Sequence, residues 1–178
     1  MKSNLLKNIL TAAVLMLLVN LNLNAQSGEL RQSPKITASG KIANAKVTIT
    51  YGSPSVKGRK IWGDLVPYDK VWRAGANEAT LLETDKALII EGRKLPAGKY
   101  SIYIVPGEAE FQIILNSETG QWGIKESGET TRDAAKDVLV ISVKPKKSPT
   151  IQERLIYMIT NKGITFKWAE VEVTISVS

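Results

Sequence analysis

The sequence predicts an all-β chain: an antiparallel β-sandwich, jelly-roll-like or immunoglobulin-like, of about eight to ten strands, with a partly open β-barrel as the alternative. Three observations carry that expectation. Apolar residues recur with a period of two, turn-forming residues separate the runs at short spacing, and long helical periodicity is missing. Apolar residues make up 43% of the 178 and charged residues 23%, a balance that suits a globular domain rather than a disordered chain.

The strands follow in order. Val47, Ile49 and Tyr51 alternate with Thr48 and Thr50. Tyr100, Ile102 and Ile104 alternate with Ser101, Tyr103 and Val105, apolar enough to be covered on both faces. Ile164, Phe166 and Trp168 alternate with Thr165 and Lys167, and Val171, Val173, Ile175 and Val177 with Glu172, Thr174 and Ser176. Further strands are expected at 36–38, 80–84, 87–90, 111–115, 138–143 and 155–160, with turns at 91–94, 106–108 and 161–163. All seven prolines fall outside the interiors of these runs, as ladder donation requires. Only 133–137 and a turn near 61–65 read as helical.

The N-terminus reads as an export signal. Lys2 and Lys7 precede the uncharged run ILTAAVLMLLV at 9–19, and Ala25 suits the position before cleavage. The expected organisation is a signal peptide at 1–25, a flexible leader at 26–33 and a single β-rich domain at 34–178. Processing would remove two lysines, take the net charge from +7 to +5 and leave no transmembrane segment. The destination is the periplasm or the exterior.

Composition excludes much chemistry. With no His there is no imidazole base and no Ser-His-Asp triad; with no Cys there is no thiolate nucleophile, disulfide or Cys-held metal. No metal site and no cofactor is expected, and no calcium-loop spacing is present. Basic clusters at Lys57-Gly58-Arg59-Lys60 and across Arg132, Lys136 and Lys144–Lys147 match no phosphate-binding or nucleic-acid motif, so nucleic acid is not an expected partner.

Two stretches break the strand pattern, 52–77 and 117–132. The first carries Trp62, Tyr68 and Trp72 and ends in Val71-Trp72-Arg73-Ala74-Gly75-Ala76-Asn77-Glu78. Long connections in compact domains are commonly functional. Trp62, Tyr68 and Trp72 offer stacking faces, and Arg73, Asn77 and Glu78 offer a planar donor fork, an amide and a carboxylate. One reading makes these six a site for a small or polymeric ligand such as a glycan. Another makes them a loop pinned by an Arg73–Glu78 pair and an Asn77 backbone bond, with the tryptophans in the core of a structural envelope domain. A third is a hydrolase working through Asp64 or Glu78, the neighbouring acids being Asp69 and Glu83; no activated base or nucleophile is recognisable, so no catalytic residue is assigned.

The segments at 51–80, 95–107 and 137–145 also carry a likeness. It is most specific in KGR-x-I-W-G at 57–63, VPY-x-K-V-W-R-x-G-A-N-E-A-T at 66–80 and LPAG-x-Y at 95–100. With these the chain, from about Pro34 to Val177, resembles an exported bacterial family designated domain of unknown function 2911. The resemblance implies a signal peptide, an envelope or secreted location and a β-rich domain. It implies no substrate, cofactor or catalytic residue.

Overall fold

Alternation of apolar and polar side chains gives each strand one face to bury, and the chain answers with a six-stranded antiparallel sheet. The computed structural model describes residues 31–178, of which 32–178 form one unit. The sheet contains β1 (Lys35–Ile42), β2 (Ala45–Gly52), β3 (Ala76–Thr84), β6 (Gly98–Pro106), β7 (Phe111–Asn116) and β8 (Asp137–Val143), in the order β1-β2-β3-β6-β7-β8. Between β3 and β6 the chain makes the hairpin of β4 (Leu88–Ile90) and β5 (Arg93–Leu95), turning on Glu91 and Gly92, both at positive φ. The turn expected over 91–94 is thus tighter, and Arg93 and Lys94 belong to a strand.

The second layer is a long ribbon of β9 (Lys146–Thr160) and β10 (Gly163–Ser176). An isolated bridge between Ile90 and Val177, with hydrogen bonds between Ile89 and Ser178, joins β4 alongside the end of β10. Arg93 Nη1 then donates to the Val140 carbonyl on β8, 2.6 Å away, and ties the layers at that side. The six-stranded sheet does not close on itself and no closed barrel forms, an arrangement consistent with a sandwich.

The core lies between the layers. Val47, Ile49, Leu82, Ile102, Ile104, Ile113, Leu115, Leu139 and Ile141 of the sheet meet Leu155, Tyr157, Phe166, Val173 and Ile175 of the ribbon. A cavity of about 20 Å³ between them is lined by apolar side chains and the Tyr157 ring. Room for about one water and no polar lining to hold it make this a packing gap. On the sheet's other face a small second cluster forms from Ala79, Tyr103 and Ile114, with Val71 and Val105 against it. Tyr103 is therefore fully buried although it points away from the main core, which is the two-sided cover that its strand's composition predicts.

Several boundaries differ from expectation for one reason, namely pairing. The runs at 164–168 and 171–177 merge into β10, whose register shifts on either side of Ala169, at φ 52°. β9 begins well before residue 155 and includes Pro149, a strand proline that the irregular register between Lys147 and Gln152 accommodates. The helical reading at 133–137 becomes a single 3-10 turn, Ala134–Lys136, whose cap Asp133 accepts from the Ala135 amide. Residues 61–66 form a hydrogen-bonded turn closed by Val66 N to Ile61 O at 2.9 Å. The signal-peptide reading and most of the leader lie outside the described residues.

Candidate functional site

The connection 52–77 is stitched to both layers. Ser55 bridges Arg154 on β9, with Val56 N donating to Glu153 O and Leu155 N to Pro54 O. Further on, Trp72 and Ile104 exchange both backbone hydrogen bonds, at 2.7 and 2.8 Å, so the chain runs beside β6 where β3 has not yet begun. Between these anchors Trp62 enters the core and is only 2% exposed. Its ring lies 5.2 Å from Phe111, 5.6 Å edge-on to Trp72 and 5.9 Å edge-on to Trp168, and its Nε1 donates to the Trp168 carbonyl. Trp72 stacks on Trp168 at 5.7 Å and donates to Gly75 O. Tyr68 is half-buried over Gly63, whose φ of +79° makes the turn beneath it. The three aromatics of the expected site thus finish one end of the core.

Arg73, Asn77 and Glu78 lie where this connection enters β3. Gly75 is wedged against Thr80 and the Gly52 carbonyl, where a Cβ would be 2.7 and 3.0 Å from its neighbours. Ala74 and Asn77 take positive φ on either side, and the Ala74 carbonyl accepts from both Thr80 Oγ1 and Tyr157 Oη. Burial holds the Tyr157 hydroxyl protonated well above the ordinary tyrosine range. Asn77 Nδ2 donates to Ser33 O at 3.2 Å, the backbone bond that the structural reading expects. The Arg73–Glu78 pair of that reading is not what forms. Glu78 faces Lys35 Nζ at 3.8 Å, and Arg73 runs beneath Gly123.

Gly123 belongs to the other long connection. Residues 77–79 pair with 121–123 through a Glu78–Trp122 bridge, with Gly123 N donating to Asn77 O and Ala79 N to Gln121 O. Cross-strand partners share a face, so Glu78 and Trp122 sit side by side. Trp122 is 51% exposed. The alternate residues point inward over the sheet. Gln121 Nε2 donates to Tyr103 Oη at 2.9 Å and also reaches Ser101 Oγ and Glu118 O, while its Oε1 is buried with no hydrogen-bond partner. Beneath Gly123, Arg73 Nε is likewise buried without a partner, and desolvation pulls the guanidinium pKa down. A Cβ on Gly123 would collide with the Arg73 stem.

The polar base of this connection is held by Arg132 and Asp137. Arg132 Nε donates to Asp137 Oδ1 at 3.1 Å, Arg132 Nη2 pairs with Oδ2, and Asn116 Nδ2 donates to Oδ1 at 2.8 Å. Burial pushes the Asp137 carboxyl up, but hydrogen bonds from Arg132 and Asn116 and the Arg132 charge outweigh it and hold it below its ordinary value. The basic clusters are used in part in the same way. Arg59 donates to the carbonyls of Val56 and Ser55, Lys136 pairs with Glu118, and Lys146 and Lys147 sit in β9. Of the acids considered for hydrolysis, Asp64 and Asp69 are exposed in turns and Glu83 pairs with Lys99 at 2.6 Å. Among the described residues no three acids cluster closely enough to hold a metal ion, and no helix is long and apolar enough to cross a membrane.

The expected site therefore divides. Trp62, Tyr68 and Trp72 go to the core end, while Arg73, Asn77 and Glu78 gather at the junction with 121–123. Trp122 and Gln121 are not among the six residues that the sequence singles out, although the stretch 117–132 around them breaks the strand pattern. Their signal was one tryptophan between Gln121 and Gly123 in a stretch with no strand period to bury it.

No curated protein and no solved structure matches the chain. A family match covers residues 33–177, nearly the whole of the described region. The chain belongs to the family described as Protein of unknown function (DUF2911).

Proposed function

We propose that this chain is an exported, non-catalytic β-sandwich that binds a glycan on the surface where residues 77–79 meet 121–123. The observation that carries the reading is Trp122. Of the four tryptophans, three belong to one aromatic cluster at the end of the core, and the fourth stands half in solvent beside a carboxylate. Exposing an indole costs hydrophobic free energy with no packing in return. A flat apolar face beside a hydrogen-bonding group is what a sugar ring needs: its C–H face covers the indole, and its hydroxyls bond to Glu78.

The test is a glycan array and a thermal-shift screen on the purified protein and on Trp122→Ala. The expected outcome is binding that Trp122→Ala abolishes while the melting temperature of the unliganded protein is unchanged. Binding that survives the substitution overturns the assignment. The export part is tested separately: protein recovered from its host should begin at or near Gln26, and an exported form that begins at Met1 contradicts it.

A further inference from the structure

β9 carries more residues than the strand beside it can match. From Lys147 to Gln152 it advances five residues while β10 advances two, from Val171 to Ala169, so three residues are extra and the chain bulges out of the ladder. Ser148 turns inward and is buried, whereas Pro149, Thr150 and Ile151 all face solvent. Ile151, at 65%, is the most exposed large apolar side chain among the described residues. It joins neither apolar cluster, so nothing offsets the hydrophobic cost of its exposure.

The fold brings both basic clusters of the sequence to this bulge. Lys144, Lys146 and Lys147 lead into it. On the other side, residues 54–57 run along 153–155 through the Ser55–Arg154 bridge, and Lys57 N donates to Glu153 Oε1 at 3.0 Å, which sets the 57–60 cluster beside the exit. Lys57, Lys60, Lys144, Lys146 and Lys147 are exposed, and none makes an ion pair with a described residue. The acids here do not balance them. Glu172 lies opposite Lys146 in the register but pairs with Lys167 at 2.6 Å. That leaves Glu153, Glu170 and Asp64 against the five lysines, Arg59 and Arg154.

An exposed aliphatic tip between two groups of cations has the chemistry of a bilayer contact. We propose that the 148–151 bulge docks on anionic phospholipid, Ile151 entering the acyl boundary while the lysines on either side meet headgroup phosphates. Lysine suits this place because its stem can lie along apolar surface while its ammonium stays among the headgroups. An acidic polymer would use the lysines but leave Ile151 in water. A sugar finds on Ile151 neither a flat face nor a hydrogen-bonding group. The proposal is independent of the glycan reading, whose residues lie on 77–79 and 121–123.

The experiment is co-sedimentation with vesicles of phosphatidylglycerol mixed with phosphatidylcholine, and of phosphatidylcholine alone. The protein is the chain from Gln26 onward, which keeps the whole 32–178 unit and omits the apolar run at 9–19. Ile151→Ser, Lys146→Gln combined with Lys147→Gln, and Trp122→Ala are run beside it, and polyphosphate is titrated as a lipid-free anion. The parent should bind the anionic vesicles and not the neutral ones. Ile151→Ser should weaken that binding roughly tenfold, the transfer value of one exposed isoleucine. The double lysine variant should weaken it at least tenfold, since each cation near an anionic leaflet contributes roughly fivefold. Melting temperatures should match the parent, because all three changed side chains are exposed. Absence of binding to the anionic vesicles, or equal binding to the neutral ones, overturns the proposal. Vesicle binding unchanged in Ile151→Ser overturns it too, and polyphosphate binding that is lost in the lysine variant would then make the surface one for acidic polymers. Vesicle binding lost in Trp122→Ala but kept in Ile151→Ser places the lipid contact elsewhere and likewise overturns it.

Discussion

Residues 52–77 carry two tryptophans and bring both against a third, whereas residues 117–132 carry one and leave it half in solvent. Both connections are long and both contain Gly beside Trp, so the difference does not lie in local composition. It lies in where their backbones find partners. The first is hydrogen-bonded to β9 at one end and to β6 at the other, so whatever lies between is drawn across the open end of the sandwich. The second crosses the outer face of the sheet. It is held there by Gln121, by the bridge to Glu78 and by Thr131 Oγ1 donating to Trp122 O. Its tryptophan remains 51% exposed. A long aromatic loop can thus be core, and a polar loop can carry the exposed ring.

The sharpest way to break that comparison is to remove the two rings in turn. Trp62→Ala should cost about 3–5 kcal/mol of stability, as large-to-small changes at fully buried aromatics do. Trp122→Ala should stay within about 0.5 kcal/mol of the parent. Urea denaturation of both variants reads the difference, and equal losses would erase the distinction between the loops.

The next effect concerns the base of the second loop. Asp137→Asn should lower stability by about 1–3 kcal/mol, because it leaves the partly buried Arg132 without its counter-charge. The sign with pH follows from the depressed Asp137 carboxyl. Its contribution is complete above the ordinary aspartate value of about 4 and is lost as pH falls through the lower folded value. Acid titration of stability should therefore be flatter in Asp137→Asn than in the parent, and parallel curves would show that the pair contributes nothing.

A smaller effect tests the contact between the connections. Gly123→Ala should cost about 1–2 kcal/mol by forcing the Arg73 stem aside. In a double-mutant cycle Arg73→Ala should relieve most of that cost. Additive losses would mean that Gly123 is needed for its backbone and not for the room it leaves. The smallest stability effect, that of Trp122→Ala, is the one with the largest expected effect on binding.

Much of the sandwich was legible from period-two alternation. Val47–Ile49–Tyr51 and Ile102–Ile104 point where alternation says they must, because successive side chains on a strand face opposite ways. Strand ends were less legible. Pro149 and Ala169 look like breaks in a one-dimensional pattern, yet an irregular register absorbs both. Half of the candidate site was legible too. Arg73, Asn77 and Glu78 stand out as clustered polar groups, but Glu78 meets Trp122 across 44 residues of chain, and nothing local signals that pairing.

By itself the sequence determined the all-β class and which side of most strands is buried, since both depend on local periodicity and on turn residues. Only the tertiary structure decided which tryptophan remains in solvent and which arginine goes without a partner. Burial depends on what the rest of the chain brings opposite a residue. The bridges that seat Trp72 on β6 and Trp122 beside Glu78 join segments far apart in sequence, so these outcomes follow from pairing and not from composition.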